Sequence, residues 1–358
     1  MFLESIFLLI YNKHIMTPVL WLLLYLVLAA IVVFLAIKLS DYVDLLDKKT
    51  KLSGALLGGI LLAAVTSLPE LFTSLTGTVI LGNNQMVLGN IMGSDFFDVV
   101  IFGVVYFLFF KKFTEGKVGK QHYYTIFFTA LMVAAVTIAY FVFHKQGWLI
   151  GGYFNPMSIA IIAIYCISVW KTPKTEEKEK EEDTSKLTVK QIWILFLICS
   201  ILLIAASIFV TMVTDKVISE DEGFGFGATF GGSLFLGVAT SLPEVTATIA
   251  LCKKKNFDAA YGDIFGSCIF NIIILSIADV LSFNTATHLY AVDASSFMLI
   301  IGTVFALVVS LISIMYIRSK RFKNCLESRI VLYAIGVLLI GSYIAYLALA
   351  NMGLVLPF

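Results

Sequence analysis

Residues 66–70 read TSLPE, and residues 240–244 read TSLPE again. Both copies lie inside long apolar runs. A proline beside a glutamate is a costly pair in such a run, and its recurrence decides how the rest of the chain is read. Proline has no N–H and crowds the preceding turn of a helix. Pro69 would therefore leave the carbonyl of Val65 without a helical donor, and Pro243 would do the same to Ala239. A free carbonyl at membrane depth is tolerated only where something satisfies it. A cation can do so. Thr66 and Ser67 add hydroxyl oxygens just before Glu70, and Thr240 and Ser241 do so before Glu244.

Composition places these motifs in a membrane. The chain has 358 residues, of which 59% are hydrophobic and only 14% charged, with mean hydropathy +0.95. Soluble domains carry roughly 25% charged residues. The chain is therefore a polytopic membrane protein, and the lipid bilayer is its first partner. A net charge of +1 points to no polyanionic partner, and no nucleic-acid binding is expected. The cysteines (Cys166, Cys199, Cys252, Cys268, Cys325) have neither metal spacing nor a pairing pattern, and read as small hydrophobes. The histidines (His14, His122, His144, His288) fall near span ends, which argues against a histidine metal site. The start, MFLESIFLLIYNKH, lacks a basic n-region and a small-residue cleavage site, so no cleaved signal peptide is expected.

A helix needs about 20 apolar residues to cross a bilayer. Ten stretches qualify: 17–38, 54–80, 86–110, 123–143, 148–170, 191–214, 227–252, 258–283, 294–317 and 330–350. Between the fifth and sixth lies KTPKTEEKEKEEDTSK, 171–186, a charged, solvated tether. Of the 25 Lys and Arg, all but Lys13, Lys145 and Lys216 fall in one set of loops. The positive-inside rule puts that set in the cytoplasm, with both termini outside. A missed or false span would scramble this bias.

The second matching stretch is GNIMGSDFFD, 89–98, repeated as GDIFGSCIFN, 262–271, at nearly the offset that separates the two TSLPE copies. The chain is thus a duplication: residues 1–170, a cytoplasmic linker 171–190, and residues 191–358. Each half has five spans. Five is odd, so the second half enters the membrane upside down. The expected fold is an all-α membrane protein of ten transmembrane helices in two inverted five-helix repeats, a plan that secondary transporters share.

Intramembrane charge is concentrated in four spans: Glu70 in the second, Asp95 and Asp98 in the third, Glu244 in the seventh, Asp263 and Asp279 in the eighth. No Lys or Arg lies in their interiors. Buried carboxylates without countercharge are either protonated or share a cation. The bland alternative is a set of neutral carboxyls hydrogen-bonded for packing. Asn90, Ser94 and Asp98 are spaced to share one helix face, and Asp263, Ser267 and Asn271 repeat the stripe. Gly89 with Gly93, and Gly262 with Gly266, form GxxxG pairs that let helices approach closely. The donors are carboxylates, hydroxyls, amides and carbonyls. Such oxygens suit hard cations, Ca²⁺ or Na⁺, better than the reluctantly dehydrated Mg²⁺.

At these residues the chain resembles the sodium/calcium exchanger family of the cation/calcium antiporter superfamily. TSLPE matches its G-T-S-x-P-E/D signature, and GSDFFD and GSCIFN match its G-S-N-x-x-N/D signature. The resemblance spans nearly the whole chain and implies a minimal, prokaryotic-type member in a cell membrane, with no catalytic residues and no organic cofactor. It implies Na⁺/Ca²⁺ antiport by alternating access, with spans one and six sliding against the rest. Glu70 and Glu244 would be the principal Ca²⁺ ligands, with Thr66 and Thr240 adding oxygens. Ser67, Ser94, Ser241 and Ser267 would line Na⁺ positions, and Asp98 and Asn271 would complete the ring. The family also points to the carbonyls of Ala63 and Gly237 as ligands, beside those the prolines free. This sequence departs from the signatures at four positions. Val65 and Ala239 stand where the family has glycine before Thr-Ser, and Asp95 and Cys268 stand for the Asn of G-S-N.

Other readings compete. A proton/Ca²⁺ antiporter of the same fold would show G-N-x-x-E, which TSLPE does not match. An intramembrane aspartyl protease would want G-x-G-D, and AYGD at 260–263 is only a partial match inside the repeat. A cation channel would conduct freely, whereas inverted repeats around a closed acidic site favour binding and release.

Overall fold

The computed structural model describes residues 17–49, 67–113, 118–119, 121–142, 149–150, 155–171, 186–253, 255, 257–282, 289, 294–319 and 325–351. The linker 172–185 and the first half of the second span therefore lie outside the described residues. Helix α1, Pro18–Lys49, starts with proline at a first-turn position, where its missing N–H breaks no helical bond. Helix α2 is Leu68–Leu75 and continues as a π-helical turn, Thr76–Ile80. A turn containing Gly82 at φ 63° leads into α3, Asn84–Phe113. Helices α4, Gln121–Phe141, and α5, Pro156–Lys171, complete the first repeat. The second begins with α6, Val189–Ile218, whose Thr188 and Gln191 form a reciprocal capping box. Helix α7 runs through Ala228–Gly231, a π-helical stretch Gly232–Gly237 and Val238–Lys253. Helices α8, Phe257–Leu281, α9, Ala294–Ile317, and α10, Leu326–Asn351, follow.

Among the described residues, eight helices are long and apolar enough to cross a membrane: α1, α3, α4 and α6 to α10. The two shorter ones are α5, with 16 residues, and the described part of α2. The helices follow the expected spans, with two instructive differences. Helices α1 and α6 run to 32 and 30 residues, longer than 17–38 and 191–214. Past Lys38, α1 goes on through polar sequence, where Lys38 and Asp41 pair at 3.1 Å. Hydropathy marks only the membrane part of a helix, and the backbone does not stop at the lipid boundary.

The two repeats interlock. Helices α3 and α8 meet at the centre, α9 and α10 pack on α3, and α4 and α5 pack on α8. Helices α1 and α6 lie against each other, α1 also touching α7 and α6 touching α2. Each pairing has a counterpart with the repeats exchanged, as a pseudo-two-fold relation requires. Helices α3 and α8 are buried along most of their length and hold the core. There Phe102 stacks on Tyr261 at 4.2 Å and on Phe265 at 5.8 Å. Helices α1 and α6 instead expose Leu23, Leu26, Val27, Phe34, Leu197, Ile201 and Leu202. In lipid these side chains face a solvent as apolar as themselves, so their exposure carries no penalty.

Without a hydrophobic drive between helices in lipid, close backbone contact must do the holding. The α3–α7 crossing shows it. A Cβ on Gly89 would stand 2.1 Å from the Thr229 carbonyl oxygen, and one on Gly93 would stand 2.5 Å from Ser233 Cα. From the other helix, a Cβ on Gly232 would stand 2.2 Å from the Met86 carbonyl oxygen. Only glycine fits at these points.

Candidate cation site

The site lies where α2, α3, α7 and α8 meet. The described part of the first TSLPE starts at Ser67, ahead of α2. Pro69 occupies the first turn of α2, where its lack of an N–H breaks no helical bond, and Glu70 follows in that same turn. Ala63, Val65 and Thr66 lie outside the described residues, so the expected carbonyl at Val65 is not among those placed. In the second TSLPE, Pro243 lies inside a continuous helix, and the Ala239 carbonyl loses its i+4 donor as expected.

The distortion of α7 comes earlier than the proline. Gly232–Gly237 is π-helical, a form that recurs at functional sites. Three neighbours hold it. Tyr25 of α1 donates to the Phe235 carbonyl at 2.7 Å. Ser233 Oγ pairs with Tyr346 Oη of α10 at 2.6 Å. Ser94 Oγ of α3 donates to the Gly237 carbonyl at 3.1 Å. Gly237, expected as a ligand through its carbonyl, thus accepts a hydroxyl here, with Thr240 Oγ1 a second, longer donor at 3.5 Å.

The other expected residues converge across the repeats. Ser67 Oγ at the start of α2 lies 3.3 Å from Ser267 Oγ of α8. Ser94 Oγ lies 3.3 Å from Thr240 Oγ1 of α7. Each pair joins one repeat to the other. Ser67, Glu70, Ser94, Asp98, Thr240, Ser241, Glu244, Ser267 and Asn271 are all buried, none more than 1% exposed. Asp98 lies beside Ser241, and Glu70 beside Thr240. Glu244 is within electrostatic range of Glu70 and Asp98.

What distinguishes this cluster is its unpartnered oxygen. Both carboxylate oxygens of Glu70, Asp98 and Glu244 are buried without a hydrogen-bond partner. The same is true of Asp95 Oδ2, Asn90 Oδ1, Asn271 Oδ1 and Ser241 Oγ. Native interiors leave few such groups, and each one calls for an explanation. Among the described residues, no basic side chain answers them. Two carboxylates about 4 Å apart repel by roughly 4 kcal/mol even at an effective dielectric near 20. A bound cation would remove both penalties together. Among the described residues, no three His, Cys, Asp or Glu side chains close on one point as a ready-made metal cage. Ligation here draws on hydroxyl, amide and backbone oxygens as well, the mixed oxygen set that suits Ca²⁺ and Na⁺.

Sequence spacing alone did not separate the remaining acids. Asp279 belongs to the fold: its Oδ2 accepts from the Asn155 N–H at 2.8 Å and from Ser158 Oγ at 2.6 Å, anchoring the start of α5. Asp263 accepts from Thr248 Oγ1 at 3.4 Å. Its counterpart Asn90 is tied down by Nδ2 donation to Thr73 Oγ1 at 2.9 Å and Ser74 Oγ at 3.3 Å. Asn90 therefore serves its own repeat, although it lies on the stripe of Ser94 and Asp98. Asp95 Oδ1 accepts from Asn271 Nδ2 at 3.0 Å, a bridge between repeats that no motif announces. The π-helical turns also escaped, because their residues read as ordinary helix.

Interlocked inverted repeats around a buried, oxygen-lined acidic site define a cation transporter of the secondary type. The family model described as sodium/calcium exchanger protein matches residues 19–171 and 190–352, and the chain belongs to that family. It is a transporter and not an enzyme. The inner membrane protein YrbG of Escherichia coli (strain K12) is 24% identical over 332 residues, covering 89% of this chain and 93% of that protein. Among solved structures, native YfkE aligns with TM-score 0.65 at 16% identity, over 98% of this chain and 99% of that one. The H⁺/Ca²⁺ exchanger CAX aligns with TM-score 0.62 at 16% identity, over 98% and 92%. The sodium-calcium exchanger NCX_Mj aligns with TM-score 0.57 at 20% identity, over 90% and 96%. At such identities these structures speak for the fold: an all-α membrane protein of ten helices in two inverted five-helix repeats.

Proposed function

We propose that the protein is an antiporter that exports Ca²⁺ in exchange for Na⁺, by alternating access to the site between α2, α3, α7 and α8. The observation that carries this reading is the set of unpartnered carboxylate oxygens on Glu70, Asp98 and Glu244, flanked by hydroxyl pairs from opposite repeats. Glu70 and Glu244 bind Ca²⁺. Thr66, Thr240, Asp98 and Asn271, with the carbonyls of Ala63 and Gly237, complete the ligand set. Ser67, Ser94, Ser241 and Ser267 form the Na⁺ positions. The TSLPE signature favours Na⁺ over H⁺, because hydroxyls supply neutral oxygens that a metal ion needs and a proton does not.

In this reading residues 1–170 and 191–358 are the two repeats, joined by a cytoplasmic linker over 171–190, with both termini outside. Helices α1 and α6 move as a pair. Their apolar contact with each other and their lipid-facing surfaces leave few polar bonds to break during a slide. The Tyr25 bond to the Phe235 carbonyl ties α1 to the π-helical turn, so it would be remade in each cycle.

The test is ⁴⁵Ca²⁺ flux in proteoliposomes under an imposed Na⁺ gradient or an imposed pH gradient. Uptake driven by Na⁺ alone is the expected result. Uptake driven only by the pH gradient would replace Na⁺ by H⁺ and leave the site in place. No Ca²⁺ flux under either gradient would sink the Ca²⁺ assignment.

A further inference from the structure

Asn271 is one of the residues assigned above to the cation ligands, and an asparagine can face a cation in two ways. Turned one way, its amide oxygen ligates. Turned the other, its N–H groups repel the ion. One contact decides between them here. Asn271 Nδ2 donates to Asp95 Oδ1 across the repeat boundary at 3.0 Å. An ionised carboxylate only accepts, so the amide nitrogen is held on the Asp95 side and Asn271 Oδ1 is turned away from it. That oxygen is fully buried and has no hydrogen-bond partner. It lies one turn along α8 from Ser267, whose hydroxyl is 3.3 Å from that of Ser67 at the start of α2. Asp95 is itself only 1% exposed and within electrostatic range of Asp98 and Glu70.

The pseudo-equivalent pair supplies the control. There Asp98 takes the place of Asn271, and Cys268 takes the place of Asp95. The two oxygens of a carboxylate are equivalent, so Asp98 presents an oxygen whichever way it turns and needs no orienting neighbour. Cys268 gives it none. The thiol reaches the Asp95 backbone carbonyl at 3.9 Å, and both Asp98 oxygens are without a hydrogen-bond partner. The ligand with two unlike ends has an acid behind it, and the ligand with two like ends has a thiol. We propose that Asp95 is a positioning residue: it holds the Asn271 amide so that Oδ1 faces the cation, and does not itself ligate. The inference rests on the cation-antiport reading above, and gives a role to an acid outside its ligand set. An asparagine at position 95, as in the family signature, could donate as well as accept, and would let the Asn271 amide sit either way round. The acid removes that freedom.

The test compares two neutral replacements, so that loss of charge is common to both. Asp95→Asn keeps an oxygen that can accept from Asn271, whereas Asp95→Leu has a similar shape and no acceptor. Binding of ⁴⁵Ca²⁺ to the purified full-length chain should be about tenfold weaker in Asp95→Leu than in Asp95→Asn, in line with what orienting neighbours contribute to metal affinity. In an Asn271→Ala background the gap should close to within about twofold, because no amide is left to orient. Equal affinities in the first pair overturn the proposal. So does a gap that persists without Asn271, which would make Asp95 act through packing or on the ion directly. Infrared difference spectra of the wild-type chain with ¹³C-labelled asparagine decide even if the variants do not fold. Ca²⁺ should shift an asparagine C=O band, and the absence of a shift overturns the proposal. These outcomes leave the antiport reading standing, whereas a wild-type chain that binds no Ca²⁺ defeats both.

Discussion

The two repeats share their motifs but differ in how they use them. In the first, Pro69 and Glu70 lie in the first described turn of α2, and a π-helical turn follows at Thr76–Ile80. In the second, TSLPE lies within α7, with proline inside the helix and a π-helical turn before the motif. The third helix of the first repeat carries Asp95 and Asp98, whereas the matching helix of the second carries Cys268 and Asn271. Gly89 and Gly93 of the first repeat are pressed against α7 of the second. Duplication preserved the topology, and the site diverged within it.

This comparison can be broken most sharply at a feature the repeats keep in common, the glutamate of TSLPE. Glu70→Gln and Glu244→Gln should each lower Ca²⁺ transport by about 100-fold or more, since even outer-shell ligands are worth 10- to 100-fold in metal affinity. Flux that survives in one of them would mean that the repeats do not share one site. Swapping the divergent residue comes next. Asn271→Asp puts a second carboxylate against Asp95 in place of a donor, and should weaken Ca²⁺ binding by roughly tenfold, about 1.4 kcal/mol. Unchanged affinity in isothermal titration would show that the Asp95–Asn271 bridge has no bearing on the site.

The close α3–α7 crossing predicts a smaller effect, on stability. Gly89→Ala and Gly93→Ala should each destabilise the protein by about 1–3 kcal/mol through overpacking, seen as a lower Tm in detergent. Unchanged Tm in both variants would show that the α3–α7 crossing does not depend on these glycines. Smallest of all, Asp279→Asn should cost about 1 kcal/mol through a weakened anchor on α5. Ca²⁺ affinity should not move, which separates this structural acid from those of the site.

Much of the fold was legible because its signals are coarse and physical. Apolar runs mark spans, basic loops give orientation, and two repeated strings reveal duplication. The candidate site was legible where a residue type is expensive in lipid, as at Glu70, Asp98 and Glu244, which the structure buries together. Cost alone did not say which acid is satisfied: Asp279 takes two short hydrogen bonds at the start of α5, whereas Glu70 has none of that geometry, although both read as buried carboxylates. Nor did it show that Gly237 accepts a hydroxyl from Ser94, or that Asn271 turns its amide to Asp95. Those facts depend on contacts between residues far apart in sequence. The π-helical turns were invisible for a different reason, since they shift bonding by one residue without changing composition.

The most direct test of the account is the stoichiometry of ⁴⁵Ca²⁺ binding to the purified chain and to its Glu70→Gln and Glu244→Gln variants. The account predicts one Ca²⁺ per wild-type chain and none in either variant, because each repeat supplies one glutamate to a single site. Two Ca²⁺ per wild-type chain with one left in each variant would contradict it, and would make the repeats two separate sites.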